Sequence, residues 1–280
     1  MATNDYTLKW DGTGDKLYET GTKNGVVYPA LGTVSAFSAT KSYSKGAYVL
    51  YDGTKYKANA DVSAGAWDST KWTEYNSDYD KGVAFNGLTG ISESPDGADE
   101  TALYADDIKY LSLRSAENFG YTITAYTYPD EFEQCDGTAN VEGIPGVKVG
   151  QQKRRMFGFS YITVVGNDTD GNDYAEKLHI IYSSTCSPTS RDYQTINDSP
   201  EAVEFSWECE TTPIDMPGDL KKGSQITIDT SKFKNPGNNF TEAQLLANYE
   251  TLKELLWGDG TNDAYLPMPS EIATIMSSAG

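Results

Sequence analysis

The residues that could perform catalysis or bind a metal are few and scattered along this chain. His179 is the single histidine and lies within an apolar run at 177–183, so a catalytic triad or a histidine-rich metal site would depend on one strand residue. The segment 167–173 (NDTDGND) is rich in oxygen ligands, but a full calcium loop also needs a distal bidentate glutamate in register. We predict a structural histidine and a turn between strands, with calcium binding at Asp168–Asp173 as the open alternative.

Cysteines and carboxylates do not indicate an active site either. The chain has three cysteines, Cys135, Cys186 and Cys209, which lie far apart in the sequence and lack C-x-x-C spacing. Because their number is odd and their spacing fits neither a zinc site nor a redox pair, we predict reduced thiols. The 41 acidic residues offer many carboxylate pairs for glycoside cleavage, but nothing singles one pair out. The prediction is a protein without catalytic residues, metal or cofactor, and not an enzyme.

The net charge argues against a protein that binds DNA tightly. The formal net charge is −19, from 22 basic and 41 acidic residues, whereas proteins that grip phosphates usually present a basic surface. Tight DNA binding is therefore not expected, although an acidic wall suits passage of DNA without adhesion. Met1–Trp10 has no apolar signal-peptide core, and no run of about 18 apolar residues occurs, so we expect no membrane insertion and a protein made and soluble in a cytoplasm.

The elements that must position any functional side chain are predicted to be mainly β-strands. Short β-branched and aromatic runs at 121–128, 155–165 and 177–183 are separated by Gly, Pro, Asn and Asp clusters. The segment 201–210 (EAVEFSWECE) alternates in polarity, and strand side chains repeat every second residue. Its apolar residues therefore share one face, and the other face carries three carboxylates, Glu204, Glu208 and Glu210.

Helical signals are confined to three segments. The segment 240–257 carries leucines at helical spacing, begins with a capping-box pattern and is followed by Gly258, which predicts one amphipathic helix packed on a sheet. A short helical turn is predicted at 129–137, with Pro129 at the favoured first position. Near the end, a last short helix capped by Ser270 and a frayed tail are the two alternatives.

Residues 33–78 differ in composition from the rest of the chain. They are dense in Tyr, Trp, Gly, Ser and Lys, and they contain five lysines and five acidic residues, so the whole acidic excess lies elsewhere. So abrupt a shift is typical of an inserted module. We predict a discontinuous domain formed by 1–32 and 79–280, interrupted by a small β module at 33–78.

With that insert removed, the remaining sequence resembles the major tail tube proteins of siphophages from Gram-positive hosts. The resemblance covers nearly all of 1–30 and 79–276 and rests on several segments in the family's order, among them NDYTLKWDGTGDKLYETGTKNGVVYP, YDKGVAFNGLTGISESPDGADETALYADDIKYLSL and GQQKRRMFGFSYITVVGNDTDGNDYAEKLHIIY. It implies a β-sandwich or barrel-like domain with a flanking helix. It also implies six-membered rings that stack head to tail, a heterologous contact that generates an open filament.

The partners and location implied by the resemblance follow from that assembly. The chain would contact copies of itself, other tail proteins (tape measure, tail terminator and distal tail proteins) and viral DNA in transit during ejection, without tight binding. Its place would be the virion tail, assembled in the host cytoplasm.

One segment matches the family's long loop between two strands that line the channel. The match covers Gly90–Ala105 and implies that this loop and an N-terminal arm, Ala2–Leu8, reach the neighbouring ring. By composition the same segment is a solvated turn with Pro95 and Gly97 at its tip, and an ordinary surface hairpin is the alternative. The predicted contact residues are Ser94, Pro95, Asp96, Gly97, Asp99 and Glu100.

The three carboxylates of 201–210 are the candidates for the channel wall. Glu204, Glu208 and Glu210 would make the wall negative and keep the DNA duplex from adhering. The alternative is that their face meets a neighbouring subunit.

The insert has a resemblance of its own, to the small chitin- and cellulose-binding modules of bacterial glycosidases. It rests on Tyr43, Gly46, Val49, Gly53, Tyr56, Ala58, Gly65 and Trp72 in order, with Phe37 in place of the usual N-terminal Trp. In such modules exposed rings stack on sugar faces, so the resemblance implies polysaccharide binding on the tube exterior. We predict exposed Trp67 and Tyr51 as the stacking rings; the alternative is a decorative fold whose tryptophans form only its own core.

A second class of function stays open at this stage. The same features fit a secreted or surface carbohydrate-binding β-protein, attached or not to a hydrolase. The absence of a signal-peptide pattern at Met1–Trp10 speaks against it.

Overall fold

The structure is a computed structural model, and it describes residues 12–14, 16–97, 100–114, 117–142, 144–189, 193, 195, 202–237 and 239–278. This part of the chain is mainly β, as predicted. The strands are β1 (Tyr18–Pro29), β2 (Tyr48–Tyr51), β3 (Thr54–Ala58), β4 (Trp72–Glu74), β5 (Val83–Ala84), β6 (Leu88–Glu93), β7 (Asp96–Gly97), β8 (Glu100–Ala105), β9 (Ile108–Arg114), β10 (Glu117–Asn118), β11 (Gly120–Ala125), β12 (Ala139–Asn140), β13 (Lys148–Val149), β14 (Phe157–Asn167), β15 (Gly171–Pro188), β16 (Phe205–Thr211) and β17 (Gln225–Asp229). The α-helices are α1 (Glu133–Asp136), α2 (Glu242–Trp257) and α3 (Pro269–Met276).

The main sheet is antiparallel, and it folds so that one part of it packs against the other. Its order is β5-β1-β14-β15-β16-β11-β6, with β17 paired to β15 beside this path. Strand β15 has 18 residues and changes partners along its length: β14 and β17 flank its first part, and β16 pairs with its last part. Near this change Ser183 adopts a φ of 50°, which is uncommon for a residue with a side chain. The sheet therefore has two parts, joined through one strand.

Two apolar cores lie on opposite faces of β14 and define three layers. On one face, Phe157 and Phe159 pack with Ile123 of β11 and Trp207 of β16, so the two parts of the sheet lie face to face. On the other face, the side chains that alternate with these along the central strands pack against the helices in a second core. The order of layers is the outer sheet part (β16, β11, β6), the central sheet part (β1, β14, β15) and the helices α2 and α3.

The helical layer begins as the sequence predicts. The Thr241 hydroxyl accepts a hydrogen bond from the backbone N–H of Gln244, and the Gln244 side chain accepts one from the Thr241 N–H, which completes the capping box. The helix ends at Gly258, whose φ of 79° is readily adopted only by glycine. Two buried tyrosines tie this layer to the sheet: Tyr28 donates to the Leu256 carbonyl at 2.7 Å and Tyr182 to the Pro267 carbonyl at 2.9 Å.

Two predicted helix starts need correction. Helix α3 is capped at Met268 with Pro269 at its first position, so Ser270 lies inside the first turn rather than at the cap. The fixed φ of proline is already helical, and the helix therefore starts two residues earlier than a Ser270 cap implies. At the other site Pro129 precedes the 3-10 turn Asp130–Phe132 as its cap, instead of occupying the first helical position.

Residues 33–78 contain a separate three-stranded sheet, β2-β3-β4, with its own small core of Val49, Ala58, Val62 and Trp72. The chain leaves and rejoins the large sheet at one point, because Ala30 forms a bridge with Tyr79 and the Leu31 N–H donates to the Asp78 carbonyl. We call this segment the module.

The module also contacts the segment between helices α2 and α3. Lys57 pairs with Asp263 at 2.7 Å, and the Tyr75 ring meets the Tyr265 ring edge-on at 5.3 Å. The module is therefore held against the remainder of the protein by an ion pair and an aromatic contact.

Candidate functional site

One candidate surface is a β-hairpin that forms a two-stranded sheet of its own. It consists of β8 and β9, which pair from Glu100↔Arg114 to Ala105↔Ile108. The turn residues Asp106 and Asp107 have φ of 52° and 61°, the combination of a type I′ turn, whose twist matches that of paired strands. Each strand of this hairpin is about 20 Å long at roughly 3.3 Å per residue.

The hairpin exposes large apolar side chains. Tyr104 is 72% exposed, Tyr110 71% and Ile108 65%. Leu103 is also exposed, and because Leu103 and Tyr104 are consecutive in one strand they point to opposite faces. An isolated two-stranded hairpin is only marginally stable in water, and an apolar patch of this kind marks an interaction site. The hairpin is therefore a candidate interaction surface.

The residues predicted for the contact loop lie at the base of this hairpin. Ser94 and Pro95 connect β6 to β7, while Asp96 and Gly97 pair with Asn118 and Glu117 of β10. Glu100 begins β8, where its carboxylate accepts hydrogen bonds from Lys109 and Ser112. Asp99 lies outside the described residues, as does the N-terminal arm Ala2–Leu8.

The predicted tip of this segment needs correction. Pro95 and Gly97 lie before the first strand of the hairpin, and the chain reverses direction only at Asp106 and Asp107. Aspartate tolerates the left-handed conformation that this turn needs. The segments on each side, TALYA and IKYLSL, are rich in apolar and aromatic residues and are separated by two aspartates, which is a hairpin signal in the sequence. The signal that could have identified Tyr104, Ile108 and Tyr110 was therefore present.

The outer sheet part also carries an acidic surface, which we call the acidic face. Glu208 and Glu210 are exposed on β16, where they lie opposite Thr122 and Gly120 of β11, while the alternate residues Trp207 and Cys209 are buried. This burial pattern confirms the predicted alternation. Glu204 precedes the strand and accepts a hydrogen bond from the Thr89 hydroxyl.

Basic residues are missing from the strands that form the acidic face. The four segments β6 (LTGISE), β11 (GYTITA), β16 (FSWECET) and the end of β15 (SSTCSP) contain no lysine or arginine. Arg154 reaches the border of this surface, where its guanidinium donates to the Ser187 hydroxyl at 3.2 Å. The acidic face is thus built of small polar residues and glutamates.

Three aromatic residues of the module form a stack. The Tyr51 ring lies parallel to the Trp67 ring at 3.9 Å and an angle of 2°, and Trp67 lies nearly parallel to Trp72 at 5.2 Å. Tyr51 is exposed, Trp67 is half-buried and Trp72 is buried. The prediction of an exposed Trp67 is therefore wrong, because Tyr51, Trp72 and an edge-on Phe37 ring pack against it.

His179 lies in a polar cluster at the side of the main core. Its ring stacks on Tyr161 at 4.6 Å, Nε2 is 3.0 Å from the Thr163 hydroxyl, and the carboxylates of Glu19 and Glu93 lie 3.7 Å from its two nitrogens. Burial lowers the pKa of His179 from its ordinary value of 6.5, although the two carboxylates oppose this shift. Its contacts join strands β1, β14 and β15, which is a structural arrangement.

The three cysteines are free thiols that converge in the core between the sheet parts. Burial raises the pKa of Cys135 to about 12, and it raises the pKa values of Cys186 and Cys209 as well. Since the thiolate is the reactive form, these thiols lack the lowered pKa of a nucleophile.

The loop that raised the question of calcium is the turn between β14 and β15. The side-chain oxygen of Asn167 accepts hydrogen bonds from the backbone N–H groups of Thr169 and Asp170, which closes a tight turn. Asp168 accepts from the Gly14 N–H at 2.8 Å and lies 3.9 Å from the Lys16 ammonium. In the described part of the chain, no group of three or more His, Cys, Asp or Glu side chains is arranged to hold a metal ion.

No described helix is long and apolar enough to cross a membrane. No protein-family model matches the chain, and no curated protein matches it.

Two solved structures have a low similarity to part of this chain. One is a cryo-EM structure of the anti-feeding prophage baseplate, with 8% identity and a TM-score of 0.23, covering 52% of this chain and 82% of the other. The second is the sheath–tube complex of an extracellular contractile injection system (PVC) in its extended state, with 12% identity and a TM-score of 0.23, covering 52% of this chain and 89% of the other. Similarity at this level does not establish a shared function, so a functional assignment must come from the surfaces described above.

Proposed function

We propose that this protein is the structural subunit of a phage tail tube, in which six-membered rings stack into a conduit for DNA. The observation that carries the proposal is the hairpin of β8 and β9, with Tyr104, Ile108 and Tyr110 all more than half exposed. Burying an apolar side chain of this size contributes about 1.5–3 kcal/mol. An arm whose contacts lie outside its own subunit suits head-to-tail stacking, which builds filaments without a fixed length.

The acidic face is the proposed channel wall. It lies on the outer sheet part, presents Glu208 and Glu210 to solvent, and the strand segments that form it contain no basic residue. DNA is densely negative, so a wall of like charge and small polar groups favours passage over adhesion. A contact between this face and a neighbouring subunit is the competing assignment.

The remaining parts of the proposal follow from this assembly. The subunit acts as a virion component without enzymatic activity, assembled in the host cytoplasm, and its partners are further copies, the other tail proteins and DNA in transit. Residues 33–78 form an inserted module on the outside of the tube, because a module of that size inside the channel would obstruct it.

Negative-stain microscopy of the purified full chain tests this proposal. Six-fold rings or tubes are the expected result. Dispersed monomers at high protein concentration would instead favour the runner-up, a secreted or surface carbohydrate-binding β-protein, for which the aromatic stack of the module is the supporting observation.

Charge reversal on the acidic face should convert a non-adhesive tube into one that holds DNA. In the variant with Glu204→Lys, Glu208→Lys and Glu210→Lys, each new ammonium can contact a phosphate, and each such contact adds about −0.9 to the slope of log K against log salt. Co-sedimentation of tubes with duplex DNA at low and high salt measures this effect. We expect salt-sensitive retention by the variant and none by the wild type.

The matched control reverses three exposed carboxylates outside the acidic face, Glu142, Glu242 and Glu254. If these two variants retain DNA equally, the effect reports net charge and not a channel wall. The assignment would then be wrong.

The module is proposed to bind polysaccharide through the exposed Tyr51 ring, which Trp67 supports by stacking, since the flat face of an aromatic ring matches the C–H face of a sugar. In pull-downs of the full chain with a panel of insoluble polysaccharides, Tyr51→Ala and Trp67→Ala should abolish binding. Tyr126→Ala, which removes an exposed ring elsewhere, should not. Multiple copies on one tube would multiply weak single-site binding. Failure of the wild type to bind any polysaccharide would leave the module with a structural role only.

A further inference from the structure

Two of the three buried cysteines lie opposite each other on adjacent strands of the main sheet. Cys186 of β15 pairs with Cys209 of β16, in a ladder that continues without a register shift on both sides of this pair. Residues directly opposite each other in an antiparallel pair point to the same face of the sheet. Both thiols are free, and both are buried in the core between the two parts of the sheet.

The hydrogen bonds on each side of this pair show which kind of antiparallel pair it is. The Thr212 N–H donates to the Ser183 carbonyl at 3.1 Å, and the Thr189 N–H donates to the Ser206 carbonyl at 3.1 Å. Because hydrogen-bonded and non-hydrogen-bonded pairs alternate along a ladder, these two bonds make the cysteine pair a non-hydrogen-bonded one. The Cα atoms of such a pair lie about 4.5 Å apart, within the range of about 4.4–6.8 Å that a disulfide requires.

The third cysteine of this core lies in a different element. Cys135 belongs to α1, and its carbonyl accepts a hydrogen bond from the Cys186 thiol at 3.2 Å. Its contact with Cys186 therefore uses the backbone of Cys135, whereas the contact of Cys186 with Cys209 follows from strand pairing. Among the three thiols, Cys186 and Cys209 form the pair for which strand pairing provides the geometry of a disulfide.

Burial protects this pair from rapid oxidation. Cys186 is 1% exposed and Cys209 2%, and burial raises the pKa values of both thiols. Since the thiolate is the form that reacts with an oxidant, the reaction is slow at neutral pH. A small oxidant such as hydrogen peroxide, which enters during local openings of the sheet, suits a site of this kind.

We propose that Cys186 and Cys209 form a latent disulfide site, which a peroxide oxidant converts into a covalent link between β15 and β16. One thiolate first attacks a peroxide oxygen, so that the O–O bond breaks and the sulfur becomes a sulfenic acid. The hydroxide that leaves takes up the thiol proton as water. The second thiolate then attacks the sulfenic sulfur, the S–O bond breaks and a second water leaves. Two thiols are oxidised to one disulfide, and one peroxide is reduced to two waters.

The link would stabilise the junction between the two parts of the sheet, because β16 joins the outer part to the last part of β15. It also closes residues 187–208 into a loop, which restricts the unfolded chain, and a loop of this length lowers the unfolding equilibrium constant roughly a hundredfold. A cytoplasm keeps such thiols reduced, whereas oxidising surroundings outside a cell permit the link. The benefit to a released tail rests on the proposed function, whereas the cross-link itself does not.

Peptide mapping of the folded full-length chain tests this site. The protein is incubated with hydrogen peroxide without denaturant, its remaining thiols are alkylated in denaturant, and its peptides are separated without reduction. We expect an intramolecular Cys186–Cys209 peptide that a reductant separates. Its rate of formation should rise about tenfold for each unit of pH near neutrality, since the thiolate fraction rises by that factor. Adding reductant to the oxidised chain should lower the urea concentration at which it unfolds.

Single alanine variants make the test specific. Cys186→Ala and Cys209→Ala should each abolish the linked peptide and the effect of reductant on urea unfolding, whereas Cys135→Ala should retain both. Free thiols at both positions after prolonged oxidation of the folded wild type would overturn the proposal. A link through Cys135 or between two chains would overturn it equally. The mapping of the wild type decides the outcome even where an alanine variant does not fold.

Microscopy of the same samples separates this site from the proposed function. A Cys186–Cys209 link in protein that forms no tubes supports the disulfide site and counts against the tube. Tubes whose subunits keep both thiols free after prolonged oxidation support the proposed function and count against the disulfide site.

Discussion

Replacing Tyr104, Ile108 and Tyr110 by serine is expected to abolish tube growth while leaving the subunit folded. The three side chains are highly exposed, so their loss removes little from the core. At an interface the same side chains would each contribute about 1.5–3 kcal/mol. Since about 1.4 kcal/mol corresponds to a tenfold change in an equilibrium constant, their combined loss should raise the concentration needed for assembly by several orders of magnitude.

Microscopy and sedimentation of the triple variant measure this effect, and thermal unfolding checks that the subunit is intact. Leu220→Ser is the matched control, because Leu220 is as exposed as Tyr110 but lies in a loop outside the hairpin. Tubes of normal length from the triple variant, at the wild-type concentration, would contradict the assigned role of the hairpin.

Trp207→Ala is expected to produce the largest loss of stability. Trp207 is fully buried on β16 and meets Phe132 edge-on at 5.2 Å in the core between the two parts of the sheet. Its indole N–H also donates to the buried carboxylate of Asp136 at 2.9 Å. Truncation of a large buried aromatic side chain costs about 3–5 kcal/mol, and removal of a donor to a buried carboxylate adds to that cost.

Urea unfolding of the purified subunit measures the change in the free energy of unfolding. Trp207→Phe separates the two contributions, since it keeps a ring in the core but removes the hydrogen bond to Asp136. Trp257→Ala, at the exposed end of α2, should cost much less. A loss below about 1 kcal/mol for Trp207→Ala would mean that this core does not join the two parts of the sheet.

The elements predicted best from the sequence are those specified by local patterns. Alternation in 201–210 correctly separated Trp207 and Cys209 from Glu208 and Glu210, because a strand with one buried face repeats every second residue. Helix α2 has its capping box and glycine stop where the pattern placed them, since capping depends on residues only a few positions apart.

Features that depend on distant residues were not predictable in the same way. The exchange of partners along β15 and the contact of Glu93 with Gln225 join segments far apart in sequence. The half-burial of Trp67 likewise depends on Tyr51 and Trp72, which approach it only after the module folds. Composition identified these aromatics but did not indicate which of their faces remain free.

The contact between the module and the C-terminal segment is another result that sequence patterns could not supply. Lys57 and Asp263 are 206 residues apart, and neither stands in a motif. This ion pair and the Tyr75–Tyr265 contact hold the module against the C-terminal segment.

Cryo-electron microscopy of the assembled protein tests the central claim most directly. The account predicts rings of six subunits stacked into a tube, with the hairpin of one ring on the next, and with Glu208 and Glu210 facing the lumen. A reconstruction in which the hairpin folds back on its own sheet, or in which purified subunits remain monomeric at every concentration, would contradict it.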